Sequence, residues 1–166
     1  MAGAADLTDL ALTAARAGAE AIAAVLVGGR PAPVFKSGSH DMVTAADKAA
    51  ERAVVEAIRA VRPDDPILGE EGGNLPGTTA VQWLVDPVDG TANFVYGRAD
   101  FAVSVGVRVA GEPTAGAIVR PAHRQWVAGG PGGALAGRDG EEPSAVPPFA
   151  DRPTDLSAAL IAIGMP

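Results

Sequence analysis

Residues 83–97 read WLVDPVDGTANFVYG and contain two aspartates three positions apart, on either side of a proline. The apolar run 81–85, interrupted only by Gln82, predicts a buried strand leading into them. Asp86 is expected at the end of that strand, because a residue before proline is disfavoured in the helical region. Asp89 stands where a helix N-cap belongs, and Gly90-Thr91 would open a helix whose first N–H groups lack intrahelical acceptors. The stretch therefore predicts a strand, a tight turn and a helix start.

This arrangement has two interpretations. Divalent cations bind carboxylates and phosphate binds the positive end of a helix, so the turn could supply both parts of a metal-assisted phosphate site. The same residues are also typical of an ordinary turn with a capping residue. A second acidic element upstream, Glu70-Glu71, favours the metal site over the ordinary turn.

The overall composition narrows the class of protein. The chain has 166 residues, 48% of them hydrophobic, with a net charge of −7 and no cysteine. This charge argues against nucleic acid or anionic membrane partners, which require patches of Lys and Arg. The longest unbroken apolar run, residues 21–27, is too short to cross a bilayer, and the N-terminus lacks the layout of a signal peptide. We therefore expect a globular, cytoplasmic protein that has no disulfides and binds neither nucleic acid nor membranes.

Periodicity predicts two helices followed by several strands. Apolar residues recur at helical spacing over residues 7–25 and 44–61, and Thr44 and Asp47 have capping-box spacing. Apolar residues alternate with small or polar ones over residues 101–109, which predicts a strand. Shorter strands are expected at 66–69, 114–119, 125–128 and 134–135, and a loop at 72–79. The predicted fold is α+β, a layered sandwich of two helices on a largely antiparallel sheet.

Acidic residues occur near the ends of these predicted elements. They are Asp41, Asp47, the Glu70-Glu71 pair, and Asp86 with Asp89. If the strands before Glu70 and Asp86 are neighbours, both carboxylates meet at one edge of the sheet and repel each other unless a cation is present. Oxygen ligands with no His or Cys nearby favour Mg²⁺ or Mn²⁺.

The motifs together resemble the inositol monophosphatase family of Mg²⁺-dependent, lithium-sensitive sugar phosphatases. The supporting segments are Lys36, DMVTAAD at 41–47, GEE at 69–71, DPVDGTANF at 86–94, FAVSV at 101–105 and GAIVRP at 116–121. They follow one another in the family's order and spacing along nearly the whole chain. The resemblance implies the family's layered fold and hydrolysis of a small phosphate monoester.

The resemblance also implies roles for particular residues. Glu70, Asp86 and the Val88 carbonyl would bind the first metal ion, Asp86 and Asp89 would share the second, and Glu70 could hold a weaker third. Thr91, hydrogen-bonded with Asp47, would activate the nucleophilic water beside Glu70. The N–H groups of Gly90 and Thr91, with Asp89, would hold the substrate and its phosphate. The cofactor is thus two or three Mg²⁺ ions, with Mn²⁺ as a possible substitute.

One departure concerns the second half of the family's fold. Trp83 and Trp126 are not followed by the Asp of the family's Trp-Asp-x-Ala motif. We therefore expect residues 1–142 to form the N-terminal metal-binding domain, residues 143–155 a proline-rich linker, and residues 156–166 the first strand of a truncated C-terminal α/β domain. A full-length protein of this type is expected to be a homodimer.

The expected substrate is a small phosphorylated polyol, with inositol 1-phosphate favoured. Histidinol phosphate, fructose 1,6-bisphosphate and adenosine 3′,5′-bisphosphate are alternatives within the same superfamily. A non-catalytic scaffold that keeps the fold is an alternative from a different class of protein. Retention of Glu70, Asp86, Asp89 and Thr91 argues for the enzyme.

Overall fold

Two helices form one layer of the protein. The computed structural model describes residues 4–35 and 42–147, with α1 at Ala4–Val27 and α2 at Ala45–Val61. Gly18 lets the two helices pack closely, because a Cβ there would lie only 2.8 Å from Cγ2 of Val54. Both helices confirm the periodicity, since they place a row of apolar residues in the core: Leu7, Ala11, Ala14, Ile22, Ala50, Val54 and Ile58.

The second layer is an eight-stranded sheet in the order β10-β9-β8-β7-β6-β5-β3-β4. Its strands are β3 (Ile67–Gly69), β4 (Gly73–Leu75), β5 (Val81–Asp89), β6 (Ala102–Val109), β7 (Glu112–Arg120), β8 (Gln125–Gly130), β9 (Gly133–Arg138) and β10 (Ser144–Val146). Every neighbouring pair is antiparallel except β3 and β5, which run parallel. A separate two-stranded ribbon pairs β1 (Val34–Phe35) with β2 (Met42–Val43).

The sheet buries one face under the helices. Alternate residues on the central strands point into that core, as strand geometry requires: Trp83, Val85, Val103, Val105, Val107, Ala117 and Val119. The opposite face carries exposed apolar residues, including Leu68 and Ile118. This arrangement confirms the predicted α+β fold of two helices on a largely antiparallel sheet.

The helix α1 also satisfies the length and hydropathy of a membrane span over residues Leu7–Val27. Its buried face, however, packs on α2 and across β6, β7 and β8. One face of α1 therefore belongs to the core, and 33% of its most apolar segment is buried.

The predicted position of the helix start was wrong by one residue. The strand β5 does not end at Asp86 but continues to Asp89, with an irregularity in its pairing to β6 between these two residues. This irregularity accommodates Pro87, which has no N–H for a regular ladder. The N-cap of the short helix α3 (Thr91–Val95) is Gly90, whose φ of 88° suits glycine, rather than Asp89.

Two other segments differ from expectation. Residues 72–79 were expected to be a loop, but Gly73–Leu75 pairs with β3. Within the expected linker, Ser144–Val146 pairs with β9 as an edge strand. The domain boundaries themselves stay predictions, and the apolar strand expected near residues 156–163 lies outside the described residues, as do Lys36 and Asp41.

Candidate active site

The parallel pairing of β3 and β5 places Glu70 beside Asp86. Gly69 is in register with Val85, and the N–H of Glu70 donates to the Val85 carbonyl over 3.2 Å. Glu70 follows Gly69 and Asp86 follows Val85, so the two carboxylate side chains lie side by side where β3 ends. The expectation that adjacent strands bring Glu70 and Asp86 together is confirmed by this register.

Asp86 is in an environment that disfavours its negative charge. Burial, the charge of Glu70, a hydrogen bond with the Glu70 side chain and the charge of Asp89 together raise the pKa of Asp86 to about 7, against an opposing hydrogen bond from the Val88 backbone. Its Oδ1 is buried and has no hydrogen-bond partner. Such a buried oxygen is costly unless something pairs with it.

A hard cation would suit this group of oxygens. Asp86 offers the unpartnered Oδ1, while Glu70 and Asp89 are exposed and can turn towards a ligand. Among residues 4–35 and 42–147, no three His, Cys, Asp or Glu side chains already enclose a common point. Carboxylates held this close repel one another, and the charges of both Glu70 and Asp89 act on Asp86. The donor set fits Mg²⁺ or Mn²⁺ in kind, because all its members are oxygen ligands.

Asp47 connects the start of α2 to the turn after β5. Its Oδ2 accepts from the Thr44 N–H (2.8 Å) and hydroxyl (2.5 Å), so the predicted capping box is present with Asp in place of Glu. Its Oδ1 lies 3.2 Å from the Thr91 hydroxyl. Asp47 is almost fully buried, so these hydrogen bonds replace the water it has lost. The expected contact between Asp47 and Thr91 is confirmed.

The turn between Asp89 and α3 is held by several specific contacts. The Thr91 hydroxyl can donate to the Val88 carbonyl (2.9 Å) as an alternative to Asp47. A Cβ on Gly90 would lie 3.0 Å from the Asp100 carbonyl, which also accepts from the Asn93 side chain over 2.8 Å. The helix α3 has only five residues, so its dipole is small. Any anion bound here would depend on individual N–H groups of the turn.

Sequence reasoning missed two buried carboxylates. Glu51 on α2 accepts from the Glu71 N–H over 2.7 Å, next to the site. Asp65 accepts hydrogen bonds from the side chains of Trp83 and Arg62, near the start of β5. Glu51 had a signal in the sequence, because it follows Asp47 by four positions and shares its face of α2, between the buried residues Ala50 and Val54.

Comparison with known proteins identifies the family of this chain. Residues 4–159 match the inositol monophosphatase family, and the chain belongs to that family. The inositol-1-monophosphatase SuhB of Mycobacterium tuberculosis is 43% identical over 121 residues, which cover 61% of this chain and 42% of the relative. The Nus factor SuhB of Escherichia coli is 42% identical over 91 residues, covering 54% and 34% of the two proteins.

A solved structure of inositol monophosphatase from Anabaena has the same fold. It matches with a TM-score of 0.65 and 35% identity, over 78% of this chain and 46% of the Anabaena protein. The chain therefore spans less than half the length of these relatives.

Proposed function

We propose that the site belongs to a phosphatase that hydrolyses a small phosphate monoester with the help of Mg²⁺. The main support for this proposal is the position of Glu70 beside Asp86, where the parallel strand β3 ends next to β5. One carboxylate oxygen of Asp86 is buried there and has no hydrogen-bond partner. Glu70, Asp86, the Val88 carbonyl and Asp89 would hold two or three Mg²⁺ ions, or Mn²⁺ in their place. Bound Mg²⁺ would supply charge neutralisation at the phosphate and a water of lowered pKa.

The chain's own residues would position the reactants. Thr91 can donate its hydroxyl proton to Asp47 and thereby present its oxygen lone pairs to a water molecule. The exposed side chain of Glu70 would orient that water molecule and accept its proton. The N–H groups of Gly90 and Thr91, together with Asp89, would hold the phosphate and a substrate hydroxyl. Phosphoryl transfer depends mainly on such positioning and on charge neutralisation.

The proposed substrate is a small phosphorylated polyol, with inositol 1-phosphate favoured by the names of several relatives. Histidinol phosphate, fructose 1,6-bisphosphate and adenosine 3′,5′-bisphosphate stay as alternatives. We further propose lithium sensitivity, a cytoplasmic location and a homodimer for the full-length protein. A non-catalytic scaffold with the same fold is the rival proposal, and it requires neither Mg²⁺ binding nor phosphate release.

A calorimetric titration of the chain with Mg²⁺ separates the two proposals. The parent should bind saturably, and Asp86→Asn and Glu70→Gln should each weaken binding at least about tenfold because each removes a charged ligand. Asp9→Asn, an exposed aspartate on α1, is the control and should bind as the parent does. Hydrolysis of inositol 1-phosphate by this chain, which we expect to be weak at best, is measured as released phosphate and should require Mg²⁺ and stop with EDTA. A parent that binds no Mg²⁺ would contradict the phosphatase.

A further inference from the structure

Glu51 is a buried charged residue to which the proposed mechanism gives no part. It lies on α2, with only 7% of its surface exposed, and its Oε2 accepts from the Glu71 N–H over 2.7 Å. Glutamate is rarely buried to this extent unless its carboxylate is paired. The backbone that Glu51 holds is the segment that immediately follows β3 and carries Glu70.

Two glycines make room for this carboxylate. A Cβ on Gly69 would lie 2.6 Å from Oε2 of Glu51, and a Cβ on Gly72 would lie even closer to Oε1. Both are shorter than any ordinary Cβ contact, so glycine at these positions lets the segment 69–72 fold closely around the carboxylate. Glu70 thus lies in a turn that is wrapped around the side chain of Glu51.

The first turns of α2 therefore contact the turn that carries Glu70 and the turn that follows β5. Asp47 hydrogen-bonds Thr91 in the turn after β5, and Glu51 hydrogen-bonds the backbone after β3. The two carboxylates are four positions apart, which places them on the same face of the helix. One rigid helix thus fixes the two chain segments on which Glu70 and Asp86 depend for their relative position.

We propose that Glu51 is a positioning residue: it holds the Gly69–Gly72 turn so that Glu70 faces Asp86 at the distance a shared cation requires. This role rests on the proposed function, because it assumes that Glu70 and Asp86 bind a cation. Groups that orient metal ligands without contacting the metal commonly change metal affinity 10- to 100-fold when removed. Glu51 acts in this way through the backbone rather than through the ligand side chain.

The test compares Glu51→Ala and Glu51→Gln with the parent chain. Mn²⁺ affinity is measured from the free-Mn²⁺ signal in electron paramagnetic resonance, and the Glu71 amide is followed by hydrogen exchange in the metal-free protein. Glu51→Ala should exchange the Glu71 amide faster and bind Mn²⁺ roughly tenfold more weakly. Glu51→Gln keeps an acceptor oxygen of the same reach, and it should restore most of both properties.

Glu56→Ala is the matched control, because it removes an exposed glutamate from the same helix. It should leave the Glu71 amide and Mn²⁺ affinity unchanged. Should Glu51→Ala fail to fold by circular dichroism, Gly72→Ala replaces it, since the added methyl displaces the Glu51 carboxylate without removing it. Gly132, which has open space around it, supplies the corresponding glycine control as Gly132→Ala.

The outcomes separate this role from the proposed function. A folded Glu51→Ala chain, or Gly72→Ala in its place, that binds Mn²⁺ as tightly as the parent overturns the positioning role and leaves the phosphatase standing. A parent chain that binds no Mn²⁺ overturns both. Faster Glu71 exchange together with weaker Mn²⁺ binding, both recovered in Glu51→Gln, supports the role.

Discussion

The hydroxyl of Thr91 lies 3.2 Å from Oδ1 of Asp47, although the two residues are 44 positions apart in the chain. This hydrogen bond connects the capping box of α2 with the turn after β5. The same carboxylate accepts two hydrogen bonds from Thr44, so the start of the helix and the candidate active site share one buried group. Changes in Asp47 should therefore affect stability as well as activity.

A double-mutant cycle measures this connection. Asp47→Ala should lower the free energy of unfolding by about 2 kcal/mol, because it removes a helix cap and leaves buried donors unpaired. Thr91→Val should cost about 1 kcal/mol. In urea unfolding, the double variant should lose about 0.5–1 kcal/mol less stability than the two single variants lose together. Lys48→Ala, at an exposed position, is the control. Strict additivity would show that the two side chains do not interact in solution.

Asp65 forms a second polar centre with a structural role. This buried carboxylate accepts from Trp83 Nε1 at 2.9 Å, from the Thr79 hydroxyl at 2.6 Å and from Arg62 at 2.7 and 3.0 Å. Burial alone would raise the pKa of Asp65, but the hydrogen bonds from Arg62, Thr79 and Trp83 outweigh it and hold that pKa below the ordinary value.

Asp65→Ala should destabilise the protein by about 3 kcal/mol, because it leaves the Trp83 N–H and the Arg62 guanidinium without their partner. Urea unfolding followed by tryptophan fluorescence measures the loss. Asp64→Ala, at the exposed neighbouring position, should change stability by less than about 0.5 kcal/mol. Equal effects of the two substitutions would argue against a stabilising role for this network.

The raised pKa of Asp86 predicts a pH dependence with a definite sign. In the folded, metal-free protein Asp86 holds its proton up to about pH 7, whereas in the unfolded chain it releases the proton near 3.8. Because the folded state binds the proton more tightly, this group's contribution to stability is greatest at low pH and is lost as the pH rises from about 4 to 7.

Urea unfolding in EDTA at several pH values, compared between the parent and Asp86→Asn, isolates this contribution. The parent should lose stability relative to the variant as the pH rises through that window, and the difference should level off above it. A difference that stays constant with pH would show that Asp86 titrates near its ordinary value.

Much of the fold could be predicted because its strongest patterns are local. The 3.6-residue repeat of α1 and α2 and the alternation of β6 match the structure closely. The strand β4 has no alternation to reveal it: it is a Gly-Asn-Leu segment that pairs only because β3 lies beside it. Tertiary pairing of this kind overrides local propensity and leaves no clear mark in the sequence.

The proximity of Glu70 and Asp86 was predictable from the sequence, but the geometry of the turn after β5 was not. Acidic residues at strand ends indicated that Glu70 and Asp86 would meet, and the β3–β5 register places them together. The position of the N-cap was missed because the pairing irregularity before Asp89 lets the strand continue past Pro87. The spacing of Glu51 from Asp47 indicated its face of α2 but not its partner, which is a backbone N–H twenty residues away.

The most direct test of the central claim is an anomalous diffraction experiment on crystals of the chain soaked in MnCl₂. We expect an anomalous peak between the carboxylates of Glu70 and Asp86, within about 2–2.5 Å of an oxygen of each. The peak should vanish in Asp86→Asn crystals soaked in the same way. Well-ordered parent crystals at saturating Mn²⁺ with no peak between these carboxylates would show that Glu70 and Asp86 do not share a cation.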